Sequence, residues 1–224
     1  LRLINNLLDQ AKIEAGRMDL QLEPARLDAI VESALSMMEG YGASHGVNLR
    51  ATLASEVPAI VVDVAKLRQA ILNLLSNAIK FSGRGSEVEV RTRFLPAEPS
   101  VVETDAYEIV VADHGPGIEP ADLERIFEPF RQLAPRGESV PGTGLGLSIA
   151  RQFIALLGGV LEVESDVGNG AAFRIRLPVD ATVRGEGAGR PARAGQTLDS
   201  AMGDRPRVVV LEPDRGRFTT LASD

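Results

Sequence analysis

Apolar residues recur along this chain in two periods. Four stretches repeat them at three- and four-residue steps, the period of a helix with one buried face. Leu1, Ile4, Leu8, Ala11 and Ala15 form the first stripe, and Gly16 supplies its stop. So short a helix is marginal alone, so its stripe is expected to pack on another helix, upstream or in a partner chain. Leu27, Ile30, Val31, Ala34, Leu35 and Met38 form the second stripe, after which Gly40, Gly42 and Gly46 read as a loop. The third runs over 66–82, KLRQAILNLLSNAIKFS, with Leu67, Ile71, Leu74, Leu75, Ala78 and Ile79 on one face and Asp63 placed to cap it. The fourth, 144–157, turns Leu147, Ala150, Ile154 and Leu157 inward, and Pro120 opens a short helix reaching Phe127.

Strand-like runs fall at 18–22, 47–53, 59–62, 87–94, 107–112, 160–164 and 172–177. The turn at 166–170 is too tight for a parallel crossover, so the last two strands are antiparallel. Mixed helices and strands with that pairing predict a mixed sheet with helices, not a doubly wound parallel fold. Residues 96–105 read as a loop. Residues 130–143, with Pro135, Gly137, Pro141 and Gly142, read as a mobile one. Residues 181–206 are rich in Gly, Ala and Arg and read as a flexible linker, locally basic through Arg184, Arg190 and Arg193. A last apolar strand, RVVVLEPD, follows at 207–214.

Composition narrows the classes. A chain of 224 residues with 44% hydrophobic positions supports one folded domain with appendages. With no cysteine, disulfides, thiolate metal sites and cysteine nucleophiles are excluded. His45 and His114 are far apart in sequence, which argues against a histidine-rich metal site, and His45 reads as a solvated loop residue. A net charge of −7 disfavours nucleic acid as a partner. No run approaches a membrane span and no secretory signal is visible, so a cytoplasmic location is expected. The opening residues already lie within a helical pattern, as expected of a piece of a longer protein, whose parent could be anchored at the cytoplasmic face of the inner membrane.

Four stretches carry candidate chemistry. Asn73 and Asn77 sit four apart on one face of the 66–82 helix. They are surface or capping amides, or ligands, and that stretch alone does not choose. Asp113 ends a buried-looking strand and is followed by Gly115 and Gly117. This is a plain turn, or a carboxylate facing a ligand amine beside glycines that admit a flat ring. GTGLGLSI, from Gly142 through Thr143, Gly144, Leu145, Gly146 and Leu147, leads a glycine-rich turn into a helix. Its free N–H groups suit a phosphate, or it is a hinge. It is neither a Walker sequence nor a dinucleotide fingerprint. Phe127 and Phe130 flank Pro129 at the root of the 130–143 loop, as core packing, as loop anchors, or both.

The order of these motifs resembles the ATP-binding domain of bacterial sensor histidine kinases, within the superfamily that includes gyrase, Hsp90 and MutL. The resemblance runs over about 17–178. IEAG at Ile13–Gly16 resembles the end of that family's dimerisation and phosphoacceptor helix. It implies a two-layer α/β sandwich of Bergerat type, a mixed, largely antiparallel sheet covered on one face by helices. It divides the chain into the end of the dimerisation helix (1–17), the ATP-binding domain (18–180), a linker (181–206) and a possible receiver start (207–224). It implies ATP and Mg²⁺ as cofactors. Asn77 would ligate the metal with Asn73 assisting, and Lys80 would offset phosphate charge. Asp113, with Gly115 and Gly117, would take the adenine. The 142–147 segment would close on the phosphates, and Phe127 and Phe130 would anchor that lid.

The implied reaction is transfer of the γ-phosphoryl group to a histidine on the upstream helical domain. Partners would be that domain, a response-regulator receiver and a second copy of the chain. Hydrolases of the superfamily carry Glu four residues before the metal asparagine, where Asn73 stands here, so no base is supplied for water. A non-catalytic nucleotide-binding module is the alternative. The phosphoacceptor motif is absent, Pro141 stands where glycine is frequent, and GAAF at 170–173 lacks a threonine, so one adenine contact is expected to be lost or moved to water.

Overall fold

A computed structural model describes residues 2–54, 58–97, 105–132, 142–179, 208–211 and 218–221. The predicted loop at 96–105 lies largely outside these residues. So do the middle of the 130–143 loop and the linker at 181–206.

The elements run α1 (Arg2–Glu14), β1 (Glu23–Ala25), α2 (Leu27–His45), β2 (Asn48–Thr52), β3 (Ile60–Val62), α3 (Val64–Phe81), β4 (Glu87–Leu95), β5 (Ala106–Ala112), α4 (Gly146–Leu156), β6 (Val160–Ser165), β7 (Ala171–Pro178), β8 (Val208–Leu211) and β9 (Phe218–Leu221). One sheet has the order β2-β4-β5-β7-β6-β8-β9, and β1 pairs with β3 apart from it. Only β2 and β4 run parallel, so the sheet is mixed and largely antiparallel, as expected. Strand alternation puts Val88, Val90, Ile109, Val111, Phe173, Ile175, Leu161 and Val163 on one face, all buried. Leu67, Ile71, Leu74, Leu75 and Ile79 of α3, with Ile149, Phe153 and Ile154 of α4, belong to the same core. The predicted α3 stripe is therefore the central face of the helix layer, and Asp63 Oδ1 caps it by accepting from Lys66 N at 3.0 Å.

The opposite sheet face carries charge. Glu108 is 1% exposed and accepts from Arg93 Nε at 2.6 Å, Arg176 Nε at 3.2 Å and Arg174 Nη1 at 3.4 Å. Arg176 and Arg174 also reach Glu162 and Glu164. Burial pushes the Glu108 carboxyl up, but the guanidinium of Arg93 and its two neighbours overcome this and hold it below the usual range.

Several expectations need correction. Residues 18–22 do alternate, with Met18 and Leu20 packed on the core, but they have no ladder partner; Gln21 N donates instead to Asp63 Oδ2 at 3.0 Å. The glycines at 40 and 42 do not end α2. A Cβ on Gly42 would lie 3.0 Å from the Val47 carbonyl oxygen, so glycine there permits close approach of the following strand. Gly46 alone takes the left-handed conformation that stops the helix, and His45 is its last helical residue. The 120–127 helix is two separate 3₁₀ turns, Pro120–Asp122 and Arg125–Phe127.

The first helix packs on α4 through the edge opposite to its predicted stripe. Lys66 Nζ lies 3.4 Å from Asp9 Oδ1 and over the Phe153 ring, and Ile13 joins the core. Leu8, Ala11 and Ala15 stay exposed.

Candidate functional site

α3, the amino end of α4 and the 113–118 turn after β5 carry the residues that the sequence singled out. Asn73 is buried. Its Oδ1 accepts weakly from Gln69 Nε2 at 3.4 Å, while its Nδ2 is buried with no partner. Rotating the amide exchanges oxygen and nitrogen at no steric cost, so Asn73 can present an acceptor or a donor. Asn77, one turn on, is half-buried and has no side-chain hydrogen bond among the described residues. A Cβ on Gly146, the first residue of α4, would lie 3.8 Å from Asn73 Cγ. The free N–H groups of α4 therefore begin directly over the α3 amides.

Lys80, one turn beyond Asn77, has no carboxylate within ion-pair distance among the described residues. Its Nζ rests over the Phe81 ring at 4.9 Å, and burial lowers its pKa. A Cβ on Gly142 would stand 2.8 Å from that Nζ, so the glycine-rich segment returns beside the ammonium. A desolvated cation, a buried amide with an unpaired nitrogen, a second amide one turn on and a helix amino end lie together, an arrangement complementary to a polyanion with a hard cation.

Asp113 is buried at the far end. Its Oδ1 accepts from Gly115 N at 2.8 Å and Ala171 N at 3.3 Å, while Oδ2 has no partner among the described residues. Burial pushes its pKa up, against those two N–H bonds. Gly115 and Gly117 bring backbone close here: a Cβ on Gly115 would be 2.8 Å from the Phe81 carbonyl oxygen, and one on Gly117, at φ 74°, would collide with that of Asp166. A cleft of about 240 Å³ lies on the outer, charged face of the sheet, lined by Glu89, Arg91, Ala112, Glu164 and Ala172, and it reaches Asp113 and His114 only at its end. His114 turns away and donates through Nδ1 to the Glu87 carbonyl oxygen at 3.0 Å.

The two aromatics separate. Phe127 is fully buried, edge-on to Phe173 at 6.5 Å between centroids and beneath the Arg151 guanidinium. It packs as part of the core beneath the loop root. Phe130 is 63% exposed with φ 63°, so it does not anchor through its ring. Its backbone does: Gly144, at φ 71°, packs where a Cβ would lie 2.6 Å from Phe130 C, and Gln132 Nε2 donates to the Gly142 carbonyl oxygen at 2.6 Å. The two ends of the 133–141 segment are thus clasped. Thr143 is exposed and its Oγ1 accepts from Leu145 N at 3.3 Å; Leu145 is buried and Leu147 half-buried on the core.

Sequence reasoning missed Ser165, Arg151 and Gln132. Ser165 and Arg151 sit on a strand and a helix with no motif spacing, and Gln132 lies beside the aromatic pair without a signal of its own.

Known proteins match this geometry. Residues 62–181 match the family model described as histidine kinase-, DNA gyrase B- and HSP90-like ATPase. The chain is 40% identical over 179 residues to the histidine protein kinase DivJ of Caulobacter vibrioides, covering 80% of this chain and 29% of that one. It is 35% identical over 224 residues to the virulence sensor protein BvgS of Bordetella bronchiseptica, covering 99% and 18%. The chain therefore spans less than a third of these curated relatives. Full-length ShkA, solved in complex with AMPPNP, superposes with a TM-score of 0.66 at 30% identity, over 79% of this chain and 35% of that one. The mycobacterial sensor histidine kinase MprB superposes with 0.57 at 30% identity, over 70% and 97%. By its motif order, its mixed sheet under helices and these matches, the chain belongs to the family of histidine kinase-, DNA gyrase B- and HSP90-like ATPases.

Proposed function

We propose that this chain is the ATP-binding catalytic part of a two-component sensor histidine kinase, which transfers the γ-phosphoryl group of Mg·ATP to a histidine on a helical domain upstream. The observation that carries it is Asn73: an amide, not a carboxylate, stands one turn before Asn77 and under the amino end of α4. Water there meets no general base, whereas a histidine acceptor brings its own nucleophile.

The residues present fit Mg²⁺, because Asn73 and Asn77 are neutral amides, whose oxygens suit a hard cation that keeps its waters, and the Asn73 amide, its Nδ2 unpaired, can turn its oxygen to the site. Asn77 would hold it with Asn73 assisting; when bound, the ion neutralises charge on the phosphates. Asp113 Oδ2 accepts from the adenine amine while Gly115 and Gly117 admit the ring. Lys80 and the α4 amide groups hold the phosphates in line, so the chain contributes positioning and charge neutralisation. Residues 1–17 then end the phosphoacceptor domain, 18–180 form the catalytic domain and 181–206 link it onward, while β8 and β9 within 207–224 extend the catalytic sheet beyond β6, which favours a tail of this domain over a receiver start. The exposed Leu8, Ala11 and Ala15 suit pairing with a second copy, and a receiver domain would take the phosphoryl group onward.

Titration of the chain with ATP tests the nucleotide reading. Saturable binding that needs Mg²⁺ and is lost in Asn77→Ala is expected; binding indifferent to both contradicts it.

A further inference from the structure

Ser165 closes β6 and is buried, yet it belongs to none of the four motifs. Its Oγ accepts from Ile118 N at 2.9 Å and donates to the Gly170 carbonyl oxygen at 2.7 Å. One hydroxyl thus satisfies a backbone group on each of two turns that otherwise share no strand ladder. The turn at 113–118 carries Asp113, and the turn at 166–170 leads into β7. The next residue, Ala171, donates to Asp113 Oδ1 at 3.3 Å and accepts from Asp113 N at 2.8 Å. Gly168 N donates to the Pro116 carbonyl oxygen at 2.7 Å. Gly117 and Gly170, both at positive φ, clear the Asp166 and Asp113 carbonyl oxygens respectively. Two side chains, the Ser165 hydroxyl and the Asp113 carboxylate, link the two segments among the described residues, and backbone contacts make up the rest.

We propose that Ser165 is a positioning residue for base recognition. By pinning the two turns together it fixes Ala171 N against Asp113 Oδ1, and this leaves Oδ2 aimed at an exocyclic amine. Ser165 reaches the ligand only through Asp113. The inference rests on the adenine-nucleotide reading above.

The test compares Mg·ATP with the triphosphate of purine riboside, which lacks the amino group, on the wild type, Ser165→Ala and Ser165→Thr. Wild type is expected to prefer ATP. Ser165→Ala is expected to bind ATP about tenfold more weakly and the analogue nearly as before, so that the preference collapses. Ser165→Thr keeps the hydroxyl and restores the preference. If Ser165→Ala unfolds, as judged by circular dichroism, Ser165→Cys, of similar volume and weaker hydrogen bonding, takes its place. Equal loss for both ligands, or no loss, overturns the inference while the adenine reading stands. A wild type that does not distinguish the ligands overturns both.

Discussion

Gly146 of α4 lies against the Asn73 amide of α3, with 3.8 Å from a Cβ placed on the glycine to Asn73 Cγ. This contact aims a helix amino end at a side chain whose own nitrogen is buried and unsatisfied. A buried donor without a partner costs about 1–3 kcal/mol. Stability alone does not account for it, which fits the ligand role proposed for the amide. Asn73→Ala is therefore expected to leave the melting temperature unchanged or raise it, while Mg·ATP affinity falls about tenfold. Thermal unfolding and nucleotide titration of one preparation check this; a large loss of stability would make Asn73 structural.

Nucleotide affinity should depend on acid. Asp113 must be ionised to accept well from an amine, and burial raises its pKa above the ordinary 3.8. Affinity is expected to fall as pH drops through that raised value, earlier than an exposed aspartate would allow. For stability the sign is opposite: the folded state holds the proton more tightly, so the contribution of Asp113 is full below 3.8 and lost as pH rises through its folded pKa. Asp113→Asn should abolish the acid dependence of binding and raise stability near neutral pH. Calorimetric titration across mildly acidic pH, with thermal melts, reads both.

The outer face of the sheet predicts a stability effect remote from the site. Glu108 holds three guanidinium groups from a position 1% exposed, and its pKa is lowered below 4.5. Its stabilisation is present above 4.5 and lost as pH falls through the folded pKa. Glu108→Gln keeps the volume and removes the charge. Because Arg93 is largely in water its share is screened, and a loss of about 2–3 kcal/mol in urea unfolding is expected, with nucleotide affinity intact.

Two glycines give a contrast. Gly117→Ala drives a Cβ into the Asp166 carbonyl oxygen at a positive φ, so a loss above about 2 kcal/mol is expected. Gly83→Ala meets nothing within 4 Å, and a change within about 0.5 kcal/mol is expected. Chemical denaturation of the pair separates backbone need from general intolerance.

The helical stripes of α2, α3 and α4 were legible in the sequence because each buries one face against a single sheet. The boundary of α2 was not: Gly42 serves a tertiary approach to the Val47 carbonyl, which no local pattern records. The 18–22 run alternates for the same reason a strand does, one side on the core, yet its hydrogen bond goes to Asp63. Asp113 and the asparagine pair could be singled out because they recur with glycines and helix spacing. Phe130 could not be told from Phe127, since exposure and a left-handed backbone depend on the Gly144 contact. Ser165 carries no motif; its role exists only where two turns meet.

The central claim is phosphoryl transfer to histidine without a base for water. Its most direct measurement is incubation of the chain, joined to the upstream helical domain proposed to carry the acceptor histidine, with Mg·ATP labelled at the γ-phosphate, followed by acid and alkali treatment of the protein and assay of free phosphate. An acid-labile, alkali-stable label on the protein, absent in Asn77→Ala and formed with little phosphate release, is the predicted result. Steady phosphate release with no label on the protein would contradict it.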